Sequence, residues 1–210
     1  MHIIQISYNF TLITQNHRMS NPNKKQAILL KTGRNLFWKY GFKRVTIEEI
    51  CREANTSKMT FYKYFPNKLE LAKAVFDRVV DEGLAHFQKI LHADLPPADK
   101  IKQMLTAKME GTHDISKEFL ADFYGDAELG LKAHIEQKTQ ETWSAMRKDF
   151  ETAQKKGLFR KDLNLDFYIY VSQKMIDIIN DPYLNSIYPS ADQLVMEFTN
   201  LLLYGVTPHD

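Results

Sequence analysis

The side chains best suited to chemistry lie in the run TIEEICREANTSKMTFYKYFPNK, residues 46–68. Lys58, Met59, Thr60, Tyr62 and Lys63 fall within one short stretch that contains no acid. Together they offer ammonium donors, a methyl-bearing hydroxyl, a thioether and a phenol, the groups that meet base edges and phosphates in a DNA major groove. By type, Lys58, Thr60 and Lys63 are candidates for base edges, and Met59 for apolar contact such as a thymine methyl. Thr46, Tyr62, Tyr64 and Lys68 are candidates for phosphate contact. Thr46 and Lys68 stand at helix starts, where free amides and the helix dipole already favour anions. Tyr64 fits packing against the first helix equally well.

Two short helices joined by a tight turn must position this set. Thr46 is a good N-cap, and Glu49 three residues later completes a capping box. Ile47, Ile50, Cys51 and Ala54 share one helical face and leave Glu48, Glu49, Arg52 and Glu53 to solvent. Asn55 tolerates the left-handed backbone that ends a helix. Ser57 caps the next helix, on which Phe61 and Phe65, four apart, turn inward. A small basic helix-turn-helix of this kind is a device for reading DNA.

The order Leu36, Phe37, Gly41, Thr46, Ile50, Ala54, Ser57, Thr60, Tyr62, Phe65, Lys68 and Leu71 resembles the TetR (tetracycline-repressor-like) family of transcriptional regulators. The resemblance covers about residues 29–71. It departs from the family pattern at Asn55 and Thr56, where Gly and Val are usual, and at Gly33, where a small Ala is usual. Gly33 should cost about 1 kcal/mol of helix stability relative to Ala unless a close helix crossing uses the missing methyl. The resemblance implies groove and backbone contacts from the positions named above and a four-helix dimer contact. It also implies a small-molecule effector that changes the spacing of two DNA-binding heads through the helix of residues 69–91. Repression is the family's commoner habit.

Charge is distributed as that reading requires. The net charge of +2 over 210 residues conceals 11 Lys/Arg against 3 Asp/Glu in residues 24–68, and 16 against 23 from residue 69 onward. A basic front fits a module that seeks phosphate. Motifs for an enzyme are absent: there is no GxxxxGK, HExxH or GxSxG. No cofactor or metal is expected, since His113 and His134 lack the paired spacing of a zinc site. The rival class is a protein-binding adaptor on the same fold without operator recognition, which would be expected to lose the basic surface carried by Lys58, Lys63 and Lys68. Cys51 is the single cysteine and reads as a core residue rather than a redox thiol. No run is long and apolar enough to span a membrane, and a cytoplasmic location is expected. Residues 1–23 read as an extension, either disordered or the product of a start assigned upstream of Met19; Arg18 is its one charged side chain.

The expected fold class is all-α: a three-helix helix-turn-helix domain over 24–68, then a larger helical effector-binding and dimerisation domain over 69–210. The spacing predicts helices over 24–40, 67–91, 98–109, 115–124, 128–156, 165–180 and 191–204, with no strand. Phe119, Phe123, Tyr124, Trp143, Met146, Phe150, Tyr168 and Met175 are candidates to line an apolar effector pocket, with His113 and His134 to orient a ligand; each also fits a plain core. The last two helices are apolar on more than one face, so Tyr170, Ile178, Leu194, Phe198, Leu201 and Leu202 are candidates for a homodimer interface. The expected partners are operator DNA, a second copy of the chain and a small-molecule effector.

Overall fold

A computed structural model describes residues 24–125, 130–179 and 181–208, the side chains of residues 175–177 and 179 excepted. The extension over 1–23 lies outside the described residues. Ten α-helices follow one another, with no strand among the described residues. They are α1 (Lys24–Tyr40), α2 (Ile47–Glu53), α3 (Lys58–Tyr64), α4 (Lys68–His92), α5 (Pro97–Thr112), α6 (Lys117–Leu120), α7 (Leu131–Lys155), α8 (Leu165–Ile179), α9 (Pro182–Ile187) and α10 (Ala191–Val206).

Local chemistry accounts for most of these boundaries. Asn67 caps α4 by accepting from the Glu70 amide at 2.9 Å, although the Glu70 carboxylate turns to Lys73 rather than closing a capping box. Pro96 and Pro97 set the start of α5, with Pro97 at its first position. Gly41 ends α1 at φ +77, where a Cβ would stand 2.7 Å from Asp122 Oδ2. Only glycine fits both the backbone and that approach.

Three expectations need correction. The break expected over 111–114 is shorter, because α5 runs on through Gly111 and Thr112 before Asp114 turns the chain at φ +64. The helix expected over 115–124 is an α-helical turn followed by a π-helical segment, Ala121–Gly125. Between the helices expected over 165–180 and 191–204 stands a further one: Asp181 accepts from the amides of Tyr183 and Leu184 and starts α9.

Two apolar clusters hold the helices. The first joins α1–α3 to the near half of α4 (Leu71, Val75, Val79), to Phe119 and Phe123, and to the starts of α7 and α10. The second gathers Phe87 and Leu91 of α4 with Met104, Trp143, Phe150, Tyr168 and Leu202. Thus α4 is built into both. Gly33 lets α1 cross α4 closely, since a Cβ there would come 3.0 Å from Leu71 Cδ2. That is the close crossing which a glycine on the inner face of α1 can use.

Candidate nucleic-acid interface

The capping devices read from the sequence are present. Thr46 Oγ1 accepts from the Glu49 amide at 3.1 Å, and Glu49 Oε2 accepts from the Thr46 amide at 2.9 Å. The latter bond holds the Glu49 carboxyl below its ordinary range. Asn55 adopts φ +46 in the turn, and Ser57 caps α3 by accepting from the Thr60 amide at 3.1 Å. Ile50, Cys51, Ala54, Phe61 and Phe65 are buried against α1 and α4. Burial also pushes the Cys51 thiol up, which suits a core residue.

With that face buried, α3 presents the opposite one. Met59 is 82% exposed, and Tyr62 and Lys63 are exposed beside it. Lys58 is exposed too, but its ammonium is paired with Glu48 of α2, and the hydrogen bond raises its proton affinity. Thr60 is half-buried, its hydroxyl 3.0 Å from Ser57 Oγ. Thr46 is exposed, with its hydroxyl committed to the cap. Tyr64 is partly buried against the first cluster, as the packing alternative required.

Lys68 differs most from its expected role as a phosphate clamp. Its Nζ donates to the carbonyls of Phe42 and Val45 at 2.7 Å each and lies 4.3 Å from the Phe42 ring centroid. Desolvation lowers its pKa. The ammonium therefore ties the 42–45 loop to the start of α4 instead of facing solvent. Arg44, which the residue-type argument passed over, is exposed in that loop and stacks over Tyr40 at 4.3 Å. Its position between α1 and α2 could have flagged it.

The match to known families agrees with this geometry. The model for "Bacterial regulatory proteins, tetR family" matches residues 29–75, which span α1–α3 and the first turns of α4. The chain is a TetR-family transcriptional regulator. Among its relatives is YdgC of Bacillus subtilis (strain 168), described as an uncharacterized HTH-type transcriptional regulator. It is 23% identical over 192 residues, 86% of this chain and 91% of that protein. The fatty acid degradation regulator FadR from Bacillus halodurans shares the fold at TM-score 0.63 and 15% identity, over 87% of this chain and 96% of that one. The reduced form of E. coli NemR does so at TM-score 0.62 and 15% identity, over 86% and 98%. At such identities the likeness to solved structures is one of fold.

Elsewhere in the regulator the expected effector residues do not come together. Phe119, Phe123 and Tyr124 belong to the first cluster, where the Phe119 ring packs 4.3 Å from that of Trp38. Trp143, Met146, Phe150 and Tyr168 belong to the second, where Phe150 stacks on Phe87 and Phe159 at 5.7 and 5.2 Å. The set therefore does not line one common cavity. The Met175 side chain lies outside the described residues. His113 is exposed beside Asp114, and His134 pairs with Asp77 at 2.7 Å, bridging α7 to α4. An open groove of about 510 Å³ instead lies between α4 and α5, lined by His86, Asp99, Gln103, Thr106 and Glu110 among others. Lys108 was missed as well. It is 1% exposed on the inner face of α5, although its spacing of seven from Ile101 and four from Met104 places it on the apolar stripe.

Of the interface candidates, Leu194 and Leu202 are core residues of the subunit, because α10 turns them toward α5 and the two clusters. Phe198 is half-buried and packs against both clusters. Tyr170, Ile178 and Leu201 are exposed, as are Phe167 and Tyr204 on the same two helices.

Proposed function

We propose that this regulator is a homodimeric repressor that a small-molecule effector releases from its operator. The observation that carries the coupling is the placement of α4, whose near half packs with the DNA-reading helices and whose far half packs in the second cluster. A rearrangement of the far cluster would tilt α4 and with it α3. Asp122 supplies a second link: its Oδ2 accepts from the Lys43 amide at 2.8 Å, joining the π-helical segment to the loop before α2. Among the described residues no helix is long and apolar enough to cross a membrane.

The outer faces of α8 and α10 support the dimer. Phe167, Tyr170 and Ile178 fall at helical spacing on α8, and Leu201 and Tyr204 on α10, all turned away from the subunit core. Lys174 shares the first face and Glu197 the second, so an isologous pairing has opposite charges to bring together. Two half-sites on DNA are then read by two copies of α3.

The deciding experiment is fluorescence anisotropy of the purified protein on the DNA upstream of its own gene, at low and moderate salt, beside scrambled DNA. Dimer-stoichiometric binding that exceeds the scrambled control is expected. Equal, salt-erased binding to both would favour the adaptor reading instead.

A further inference from the structure

Between the two apolar clusters the helices carry polar side chains that the DNA-reading function does not use. As α7 passes from Ile135 in the first cluster to Trp143 in the second it buries Thr139 and Thr142. As α10 passes from Val195 to Leu202 it buries Thr199, and α8 buries Ser172 one turn beyond Tyr168. On α5, Lys108 and Thr112 are buried between Ala107 of the second cluster and Ile115 of the first, which lies just beyond the helix. Along their own helices these polar side chains fall near where one cluster gives way to the other, a level termed the seam.

The hydroxyls are accounted for by their own helices. Thr142, Ser172 and Thr199 donate to the carbonyls four residues back at 2.7, 2.7 and 2.8 Å, and Thr112 donates to the Lys108 carbonyl at 3.0 Å. Lys108 is different. Its Nζ is buried and has no hydrogen-bond partner among the described residues. Burial holds its pKa well below the ordinary lysine value, with no charged neighbour contributing among the described residues. An ammonium left so is among the costliest groups a fold can retain, and an apolar side chain of similar length would pack there without that cost.

We propose that Lys108 anchors an effector site in this seam for a monocarboxylate with an apolar body. The carboxylate would pair with the Lys108 ammonium, and the body would lie against the apolar clusters on either side. A single buried cation matches one negative charge, whereas a phosphomonoester carries nearly two and would bury an excess. The groove between α4 and α5 lies alongside Lys108 but is not lined by it, so α5 must give way for a ligand to enter from it. The groove's lining includes Ala107, the neighbour of Lys108 in the chain, and His86, the titratable side chain of α4 on that lining. The site rests on the reading of this domain as an effector domain and assigns that effector its chemical class.

Calorimetric titration of the full chain with butyrate, decanoate, hexadecanoate and benzoate, each beside its alcohol, tests the proposal, with decyl phosphate as a further arm. At least one carboxylate is expected to bind about tenfold or more tightly than its alcohol and than the phosphate. Repeating the titration in buffers of different ionisation enthalpy should show uptake of up to one proton per site, because the carboxylate restores the charge on Lys108. In Lys108→Met that proton uptake and the preference over the alcohol should both vanish. No carboxylate preferred over its alcohol in the unmodified protein would overturn the site whether or not the variant folds. So would an undiminished preference in a folded Lys108→Met. Failure of the effector reading would look different: a Lys108-dependent carboxylate that binds and leaves operator affinity untouched. Release by some other molecule, equally strong in Lys108→Met, would sink the site and keep the effector reading.

Discussion

At the scale of single residues, the DNA-reading surface contains lysines of three kinds, and they should behave differently. Lys63 is exposed, Lys58 is paired with Glu48, and Lys68 is spent on the Phe42 and Val45 carbonyls. Lys63→Ala should weaken operator DNA more than random DNA, as loss of a base-edge donor would, and the lost charge should reduce the salt slope by up to about 1. Lys68→Met should leave that slope nearly unchanged and lower stability by about 1–3 kcal/mol, since two carbonyls lose a charged donor. Salt titrations of DNA binding beside urea unfolding separate the two effects. A Lys68→Met protein with normal stability and a reduced slope would restore the phosphate role. Thr60→Ala should weaken operator DNA more than random DNA. Lys108 gives a further residue-scale test. Its folded-state pKa is depressed, so between that value and its ordinary one the unfolded chain binds more protons. Stability should therefore rise with pH through that window. In Lys108→Met the rise should flatten, and stability near pH 7 should increase by on the order of 1–3 kcal/mol. A pH series of denaturant midpoints measures both.

At the scale of elements, the structure is most legible where local chemistry decides it. The Thr46–Glu49 box, the Asn55 turn, the Ser57 cap and the inward pair Phe61 and Phe65 all follow from residue type and spacing, and all are present. The tie from Lys68 to the 42–45 loop was not legible, because its partners lie more than twenty residues back in a loop whose path is set by tertiary contacts. The same holds for the π-helical segment. Nothing in ADFYG announces a wider turn, which is selected by where Phe123 and Asp122 must reach: the Phe37 and Phe42 rings and the Lys43 amide. On α10 the inner face, with Leu194 and Leu202, was confused with the outer one, since a stripe apolar all round does not say which side meets its own subunit. Two changes probe these contacts. Gly33→Val should cost about 1–3 kcal/mol, because the branched side chain must displace Leu71 at the α1–α4 crossing. Asp122→Ala leaves the Lys43 amide without its carboxylate and should lower stability by a similar amount, about 1–3 kcal/mol. If Asp122 couples the two ends of the molecule, that variant should also bind operator in a way less sensitive to effector. Unchanged effector response in a folded Asp122→Ala would leave α4 as the sole route.

At the scale of the whole molecule, the exposed faces of α8 and α10 set the limit on what one copy can bury. Tyr170 is 60% and Leu201 65% exposed, and Phe167 and Tyr204 flank them. One exposed apolar side chain is ordinary, but five on adjoining helices, Ile178 being the fifth, form the kind of patch that marks an association surface. Because an isologous interface uses each residue twice, a charge placed at one position enters the contact twice and cannot be neutralised by its own copy. Tyr170→Glu combined with Leu201→Glu should therefore produce a monomer, while leaving the helical content intact, since neither side chain contributes to either apolar cluster. Light scattering after gel filtration reads the mass and circular dichroism the fold. The same variant should bind operator at least about 100-fold more weakly, because one head then holds one half-site without the second held in reach. Tyr170 and Leu201 are exposed, on the opposite sides of their helices from the buried Ser172 and Thr199 two residues away, so carboxylate binding per chain should persist. A dimer that survives both glutamates would move the interface off this helix pair, and with it the route by which a change at α4 could separate the two reading heads.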